Sequence, residues 1–174
     1  AVIIASPTSE HEAHLWSAAE EGKHILVEKP IGASNMQNVR DALATAKKKN
    51  LVVMTAYNLR WHACVKQAKQ WLSEGKIGSP IWASVTLAQY SEKEPYLRDG
   101  VTSNWSHELD LALYLLGPAK VSSASMRVTN GSDDIADIVL LHESGARSTV
   151  HLDYLTRPEI RATTIIGDKG QFSI

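Results

Sequence analysis

A single cysteine, Cys64, in 174 residues leaves no partner for an internal disulfide, which fits a reducing compartment. Long apolar runs are absent too. Leu111 to Leu116 is among the longest, well short of the ~20 residues a membrane-spanning helix requires. No basic segment followed by an apolar stretch marks a signal peptide. Charge of one sign is also lacking: 18 Lys and Arg against 19 Asp and Glu give a formal net charge of −1. Neither nucleic acid nor an acidic membrane surface is therefore expected as the main partner, and the cytoplasm is the expected location. The ten glycines never fall in a G-x-G-x-x-G spacing, and neither G-x-S-x-G nor a P-loop occurs. Acyl and phosphoryl transfer lose their usual supports. His11-Glu12-Ala13-His14 is one residue short of the zinc-protease spacing, and with one cysteine and scattered histidines no metal site is expected.

What remains is an ordinary globular composition, 44% hydrophobic and 21% charged. Val2 to Ala5 reads as a buried strand, followed by Pro7-Thr8-Ser9 and a helix with Ser9 and Glu12 at capping-box spacing. Ile25-Leu26-Val27 is the next strand. Ser34 and Gln37 repeat the capping-box spacing before a helical stripe of Met36, Val39, Leu43 and Ala46, and Leu51 to Ala56 is a third strand. Strand and helix alternating through short connections predict a parallel α/β sheet, whose ligands gather beyond the carboxyl ends of the strands. Those ends are Ser6-Pro7-Thr8, Glu28-Lys29-Pro30 and Tyr57-Asn58.

The pattern changes after residue 56. A helix over about 62–73 carries Cys64, Ala68, Trp71 and Leu72 on one face, and a longer strand spans 81–90. A second helix runs from about His107 to Leu116. Strands then follow near 120–129, 135–142, 146–153, 160–166 and 171–174, with turns at Asn130-Gly131, Ser144-Gly145 and Asp168-Lys169-Gly170. These predict a boundary near residue 56, with a parallel α/β unit over 1–56 and a second domain over 57–174 that is a mostly antiparallel sheet with helices on one face. Val139, Leu141, Val150 and Leu152 are read as apolar cover on adjacent strands of that sheet.

Three segments carry candidate chemistry. Lys29 at a strand end faces the expected ligand crevice, where it could serve as an acid or base; it could equally pair with Glu28 in solvent ahead of a turn. The Lys29–Pro30 bond could hold it through a cis geometry. His107 and Asp110 lie three apart near a helix start, where a histidine can take a proton from a hydroxyl or simply cap the helix. Arg60-Trp61-His62 could contact a polyol or an anionic group, or form a helix start with a snorkelling arginine. Tyr154, Arg157 and Pro158 near a strand end hint at an amino sugar or nucleotide sugar.

Taken together, these segments are more specific than any one of them. Ala5-Ser6-Pro7-Thr8 with His11, then Val27-Glu28-Lys29-Pro30-Ile31-Gly32, then Tyr57-Asn58-Leu59-Arg60-Trp61-His62, resembles the glucose–fructose oxidoreductase/inositol dehydrogenase/MocA (Gfo/Idh/MocA) family in order and spacing. Ser106-His107-Glu108-Leu109-Asp110-Leu111 is similar to its catalytic helix, and Ile165 to Gly170 to a recurrent piece of its second domain. The resemblance implies a Rossmann (dinucleotide-binding) domain, present in part over 1–56, followed by an α/β domain on a large, mostly antiparallel open sheet. It points to an oxidoreductase that moves a hydride between NAD or NADP and a sugar, polyol or nucleotide-sugar hydroxyl. It implies Lys29 and His107 as catalytic groups, with Ser6, Pro7, Thr8, His11, Glu28 and Lys29 near the cofactor. Arg60, His62 and Asp110 would serve the substrate, and a homodimer or homotetramer would form through the sheet.

Two departures from the family pattern bear on this. The chain opens at Ala1 inside an apolar run, so two or three strands, the glycine-rich loop and the acidic residue that reads the ribose are expected to precede it. That is about sixty residues or more, at about thirty per βαβ step. The stretch by itself is expected to be inactive, and the sheet to continue past Ile174. The second departure is Asn104, near the place where the related motif carries an aspartate. An amide holds no negative charge beside His107, so the acid–base tuning would differ. The alternative reading is a non-catalytic sugar-binding or oligomeric regulatory member of the family.

Overall fold

The computed structural model describes residues 1–32, 35–92 and 100–174. The chain forms two compact units, Ala1–Tyr57 and Asn58–Ile174. In the first, β1 (Val2–Ile4), β2 (Ile25–Val27) and β3 (Val53–Thr55) pair in parallel in the order β1-β2-β3. Helices α1 (His11–Glu20) and α2 (Met36–Lys48) connect them. Right-handed crossovers in a sheet of sequential order put both helices on one face. Strand alternation then sends Ile4, Ile25 and Val27 into a core with Leu15, Ala18, Ala19, Val39, Ala42 and Ala46. The alternate row Ile3, Leu26 and Met54 lies in register on the other face, with Ile3 73% exposed.

Both predicted capping boxes resolve differently. Thr8–Glu10 forms a 3-10 turn ahead of α1, whose N-cap is Glu10 and which makes no side-chain cap. Glu12 is instead buried and accepts a hydrogen bond from Asn35 N at 2.9 Å, tying α1 to the start of α2. Ser34 lies outside the described residues. The cap of α2 is Asn35, whose side chain accepts from Gln37 N at 3.0 Å.

The second unit begins with a 3-10 turn (Asn58–Trp61) and α3 (Ala63–Ser73), then β4 (Pro80–Ala88), α4 (Val101–Asn104) and α5 (Ser106–Leu116). Five strands follow: β5 (Ala119–Thr129), β6 (Ser132–His142), β7 (Arg147–Asp153), β8 (Ile160–Gly167) and β9 (Gly170–Ser173). They form one six-stranded sheet, β5-β6-β7-β4-β8-β9, antiparallel except for the β4–β7 pair. That pair is parallel because β4 reaches β7 only after the helices and the β5–β6 hairpin. Ala83, Val85, Leu87, Ile138, Leu140, Val150, Leu152 and Ile165 turn one face toward Val65, Ala68, Leu111, Ala112 and Leu115.

Two face assignments are corrected by this packing. Val65 and Ala68 are the buried residues of α3, whereas Cys64 is exposed and Trp71 is 37% exposed. Val150 and Leu152 lie in the core, but Val139 and Leu141 point to the opposite face, since neighbours one register step apart on paired strands alternate sides.

Candidate functional site

In the first unit, polar chemistry gathers at the carboxyl rim of the parallel strands. β2 ends in Glu28-Lys29-Pro30, and the Lys29–Pro30 peptide is cis. Glu28 is exposed and its carboxylate accepts from Lys29 N at 3.1 Å, while Lys29 is half-buried. Behind this turn stands His11, 1% exposed, with Nδ1 2.8 Å from Pro30 O and Nε2 3.0 Å from Ser6 O. Both neighbours are carbonyl oxygens, and the ring N–H donates to one of them while the other nitrogen lies against the second. One ring therefore holds together the ends of β1 and β2. Pro7 is exposed and Thr8 half-buried at the same rim. Gly32 completes the turn at close quarters, since a Cβ there would stand 2.6 Å from Val39 Cγ2. A parallel rim with a half-buried lysine, an exposed carboxylate and a small hydroxyl side chain fits a dinucleotide laid across strand ends.

In the second unit, His107 lies in the first turn of α5, half-buried. Around it, α5 is fastened by charge. Arg60 Nε donates to Asp110 Oδ2 at 2.8 Å and Nη2 to Asp110 Oδ1 at 2.5 Å, a fork-on-carboxylate pair with Asp110 7% exposed. Lys69 Nζ donates to Tyr114 O at 2.6 Å at the other end of the helix. Burial and the nearby Arg60 guanidinium lower the Lys69 pKa. Arg161 of β8 donates to the buried Glu108 at 2.6 Å. Arg60 and Asp110 are thus joined to each other in holding α5, while His62 is exposed and lines a cavity of about 250 Å³ with Glu108 and Arg161. Asn104 is exposed at the end of α4, and its amide donates to Tyr154 Oη at 2.9 Å. The sequence reading missed the Glu108–Arg161 pair, because nothing local links residues 53 apart on a helix and a strand.

Residues 1–57 match the family described as "Oxidoreductase family, NAD-binding Rossmann fold", and residues 65–173 match "GFO/IDH/MocA C-terminal domain". The chain belongs to the Gfo/Idh/MocA oxidoreductase family. Among curated members, it is 30% identical over 166 residues to D-apiose dehydrogenase of Paraburkholderia graminis, covering 90% of this chain and 44% of that protein. It is 32% identical over 190 residues to scyllo-inositol 2-dehydrogenase (NAD(+)) of Bacillus subtilis, covering 100% of this chain and 54% of that protein. The chain thus spans about half the length of these Gfo/Idh/MocA relatives. Among solved structures, an oxidoreductase from Agrobacterium radiobacter in complex with NAD+, L-tartaric acid and magnesium superposes with a TM-score of 0.85 at 26% identity, covering 98% of this chain and 54% of that one. An NAD-binding oxidoreductase from Klebsiella pneumoniae reaches a TM-score of 0.91 at 23% identity, covering 99% and 53%, and shows the shared fold.

Proposed function

We propose that the protein transfers a hydride between NAD or NADP and a secondary hydroxyl of a sugar or polyol. The observation that carries this reading is Lys29, half-buried at the carboxyl end of the central strand of a parallel sheet that matches the NAD-binding family. When bound, the cofactor supplies the hydride acceptor, so every proton movement falls to side chains of the protein. Thr8 and Glu28 are the groups at the rim assigned to hold it. Lys29 orients the hydroxyl and passes on its proton, and His107 is the second acid–base group. His11 acts through the main chain, keeping the Lys29–Pro30 turn in place. Arg60 and Asp110 act on the helix that carries His107. Two relatives are dehydrogenases of D-apiose and scyllo-inositol, which supports a neutral polyol as the substrate class.

The test is the appearance of reduced nicotinamide on incubation with NAD or NADP and a panel of sugars and cyclitols. Lys29→Ala is expected to lower turnover by about two to four orders of magnitude, the span for removing an acid–base group, with little change in cofactor affinity. Near-normal turnover in that variant would remove Lys29 from the mechanism. We further propose that the open face of the six-stranded sheet joins copies of the chain into a dimer or tetramer.

A further inference from the structure

Strand alternation sends Val150 and Leu152 of β7 into the core and turns Arg147, Thr149, His151 and Asp153 to the sheet face away from α3 and α5. The register sets each beside a residue of β6: Arg147 by Leu141, Thr149 by Val139, His151 by Asp137 and Asp153 by Ile135. Charge is thereby sorted along the two strands. The exposed Arg147 marks one end, and Lys120 of β5, in register with Leu141, shares it. Asp137 and Asp153 mark the other end, and the Thr149–Val139 pair stands between Arg147 and His151. Glu143 lies in the turn beyond β6.

A twofold axis laid across the strands at the Thr149–Val139 pair stacks two copies of this face with their ends reversed. Stacked sheets lie about 10 Å apart with strands nearly aligned, so each residue then meets the one equally far beyond the pair. Arg147 of one copy falls opposite His151 of the other, one strand spacing from Asp137. The face is self-complementary in charge, as a twofold contact requires, and a second copy of the chain is the occupant this pattern fits.

His151 sits at the centre of that charge contact. Its Nδ1 lies 2.7 Å from Asp137 Oδ1 and its Nε2 2.9 Å from Asp153 Oδ2. A protonated ring donates to both carboxylates and sets a second cation opposite Arg147. A neutral ring has one N–H, so one carboxylate loses its donor and the end gains negative charge facing Arg147. Partial burial disfavours the charged ring, but hydrogen bonds and attraction from both carboxylates prevail, and its pKa lies above 6.5. On β4 the residue in register with His151 is Thr86, which does not titrate. Arg127 of β5 is drawn to the buried Asp134, 3.7 Å away.

We infer that His151 is a proton switch on self-association: two copies meet through this face with Arg147 of each opposite His151 of the other, and the contact tightens when the imidazole loses its proton. This rests on the proposed assembly through the open sheet face and adds to it a symmetry, a charged contact and a response to pH.

Sedimentation of the full-length protein from about pH 6 to about pH 8.5, at one ionic strength, tests it. The dissociation constant of the assembly is expected to fall by about tenfold or more across that span. His151→Gln should remove the dependence, since an amide keeps the same charge throughout. Arg147→Gln, at an exposed position, should weaken the assembly at the alkaline end and flatten the curve. A dissociation constant that stays level or rises with pH in the wild type would overturn the inference and leave the assembly standing. A dependence that survives His151→Gln would do the same. A protein that is monomeric at every pH would sink the assembly and the switch together.

Discussion

His11 shows how much can rest on one side chain. Its ring is buried and faces two carbonyls from separate strand ends, and the turn it supports carries Lys29. His11→Ala would strip the ring N–H from whichever of Pro30 O and Ser6 O accepts it inside the fold. Leaving a buried acceptor unsatisfied costs about 1–3 kcal/mol, so the variant is expected to unfold at clearly lower urea concentration. It should also lose activity through Lys29 without a change of residue in the site. A midpoint within error of the wild type would show that water replaces the imidazole without cost. Gly167 makes a contrasting case. A Cβ there would stand 2.2 Å from Ile77 O, a backbone atom that cannot step aside, while a Cβ at Gly145 would meet nothing within 4 Å. Gly145 has a φ of 88°, so alanine there is strained locally but displaces no neighbour. Gly167→Ala is accordingly expected to cost more stability than Gly145→Ala in parallel denaturant titrations, and the reverse order would refute the packing argument.

Among the elements, β6 and β7 are stitched across their open face by a histidine. His151 Nδ1 lies 2.7 Å from Asp137 Oδ1 and Nε2 lies 2.9 Å from Asp153 Oδ2. Partial burial works against its charge, but hydrogen bonds and attraction from the two carboxylates outweigh it and raise the His151 pKa above 6.5. For Asp153, burial works the other way and is outweighed by the hydrogen bonds from Leu155, His151 and Thr156, so its pKa falls below 3.8. A histidine whose pKa is raised on folding stabilises fully below 6.5, and the contribution fades as pH rises through the folded value. Asp153 contributes above 3.8 and loses its share as pH falls through its lowered value. The stability difference between wild type and His151→Gln should therefore be largest between those limits and shrink as pH is raised past neutrality. A difference that grows on the alkaline side would contradict the assignment. Asp153 also anchors the turn that follows β7, accepting from Thr156 N at 2.7 Å.

On the scale of the whole molecule, the helices among the described residues of the second unit pack on one face of its sheet. The other face presents Val139 and Leu141 of β6 with Thr149 and Arg147 of β7 in register, and Leu141 is 46% exposed. A face of this mixed apolar and polar character is what a symmetric, self-complementary contact needs. Leu141→Glu is expected to shift the protein toward monomer in light scattering without altering its circular dichroism. A wild-type monomer at micromolar concentration would remove the assembly proposal.

Much of this architecture is a matter of periodicity and punctuation, which act within a few residues and so are written along the chain. The alternation of strand and helix up to Thr55, the turns at Asn130-Gly131 and Asp168-Lys169, and the helix carrying His107 were all legible, because hydrophobic spacing and turn residues report local backbone geometry. The family resemblance was legible for the same reason, in short segments of fixed order. What the tertiary structure decided was the use made of side chains between segments. Ser9 and Glu12 have capping-box spacing, yet Glu12 is claimed by Asn35, 23 residues away. Arg60 and Asp110 each look like free polar groups until the fold brings them into one ion pair. Val139 and Val150 are equally apolar, and only the register of β6 on β7 sends them to opposite faces. Local preferences amount to a fraction of a kcal/mol per residue, whereas burying an unpaired carboxylate or guanidinium costs several. The sequence alone therefore determines which elements form, and long-range pairing determines which polar groups are left to meet a substrate.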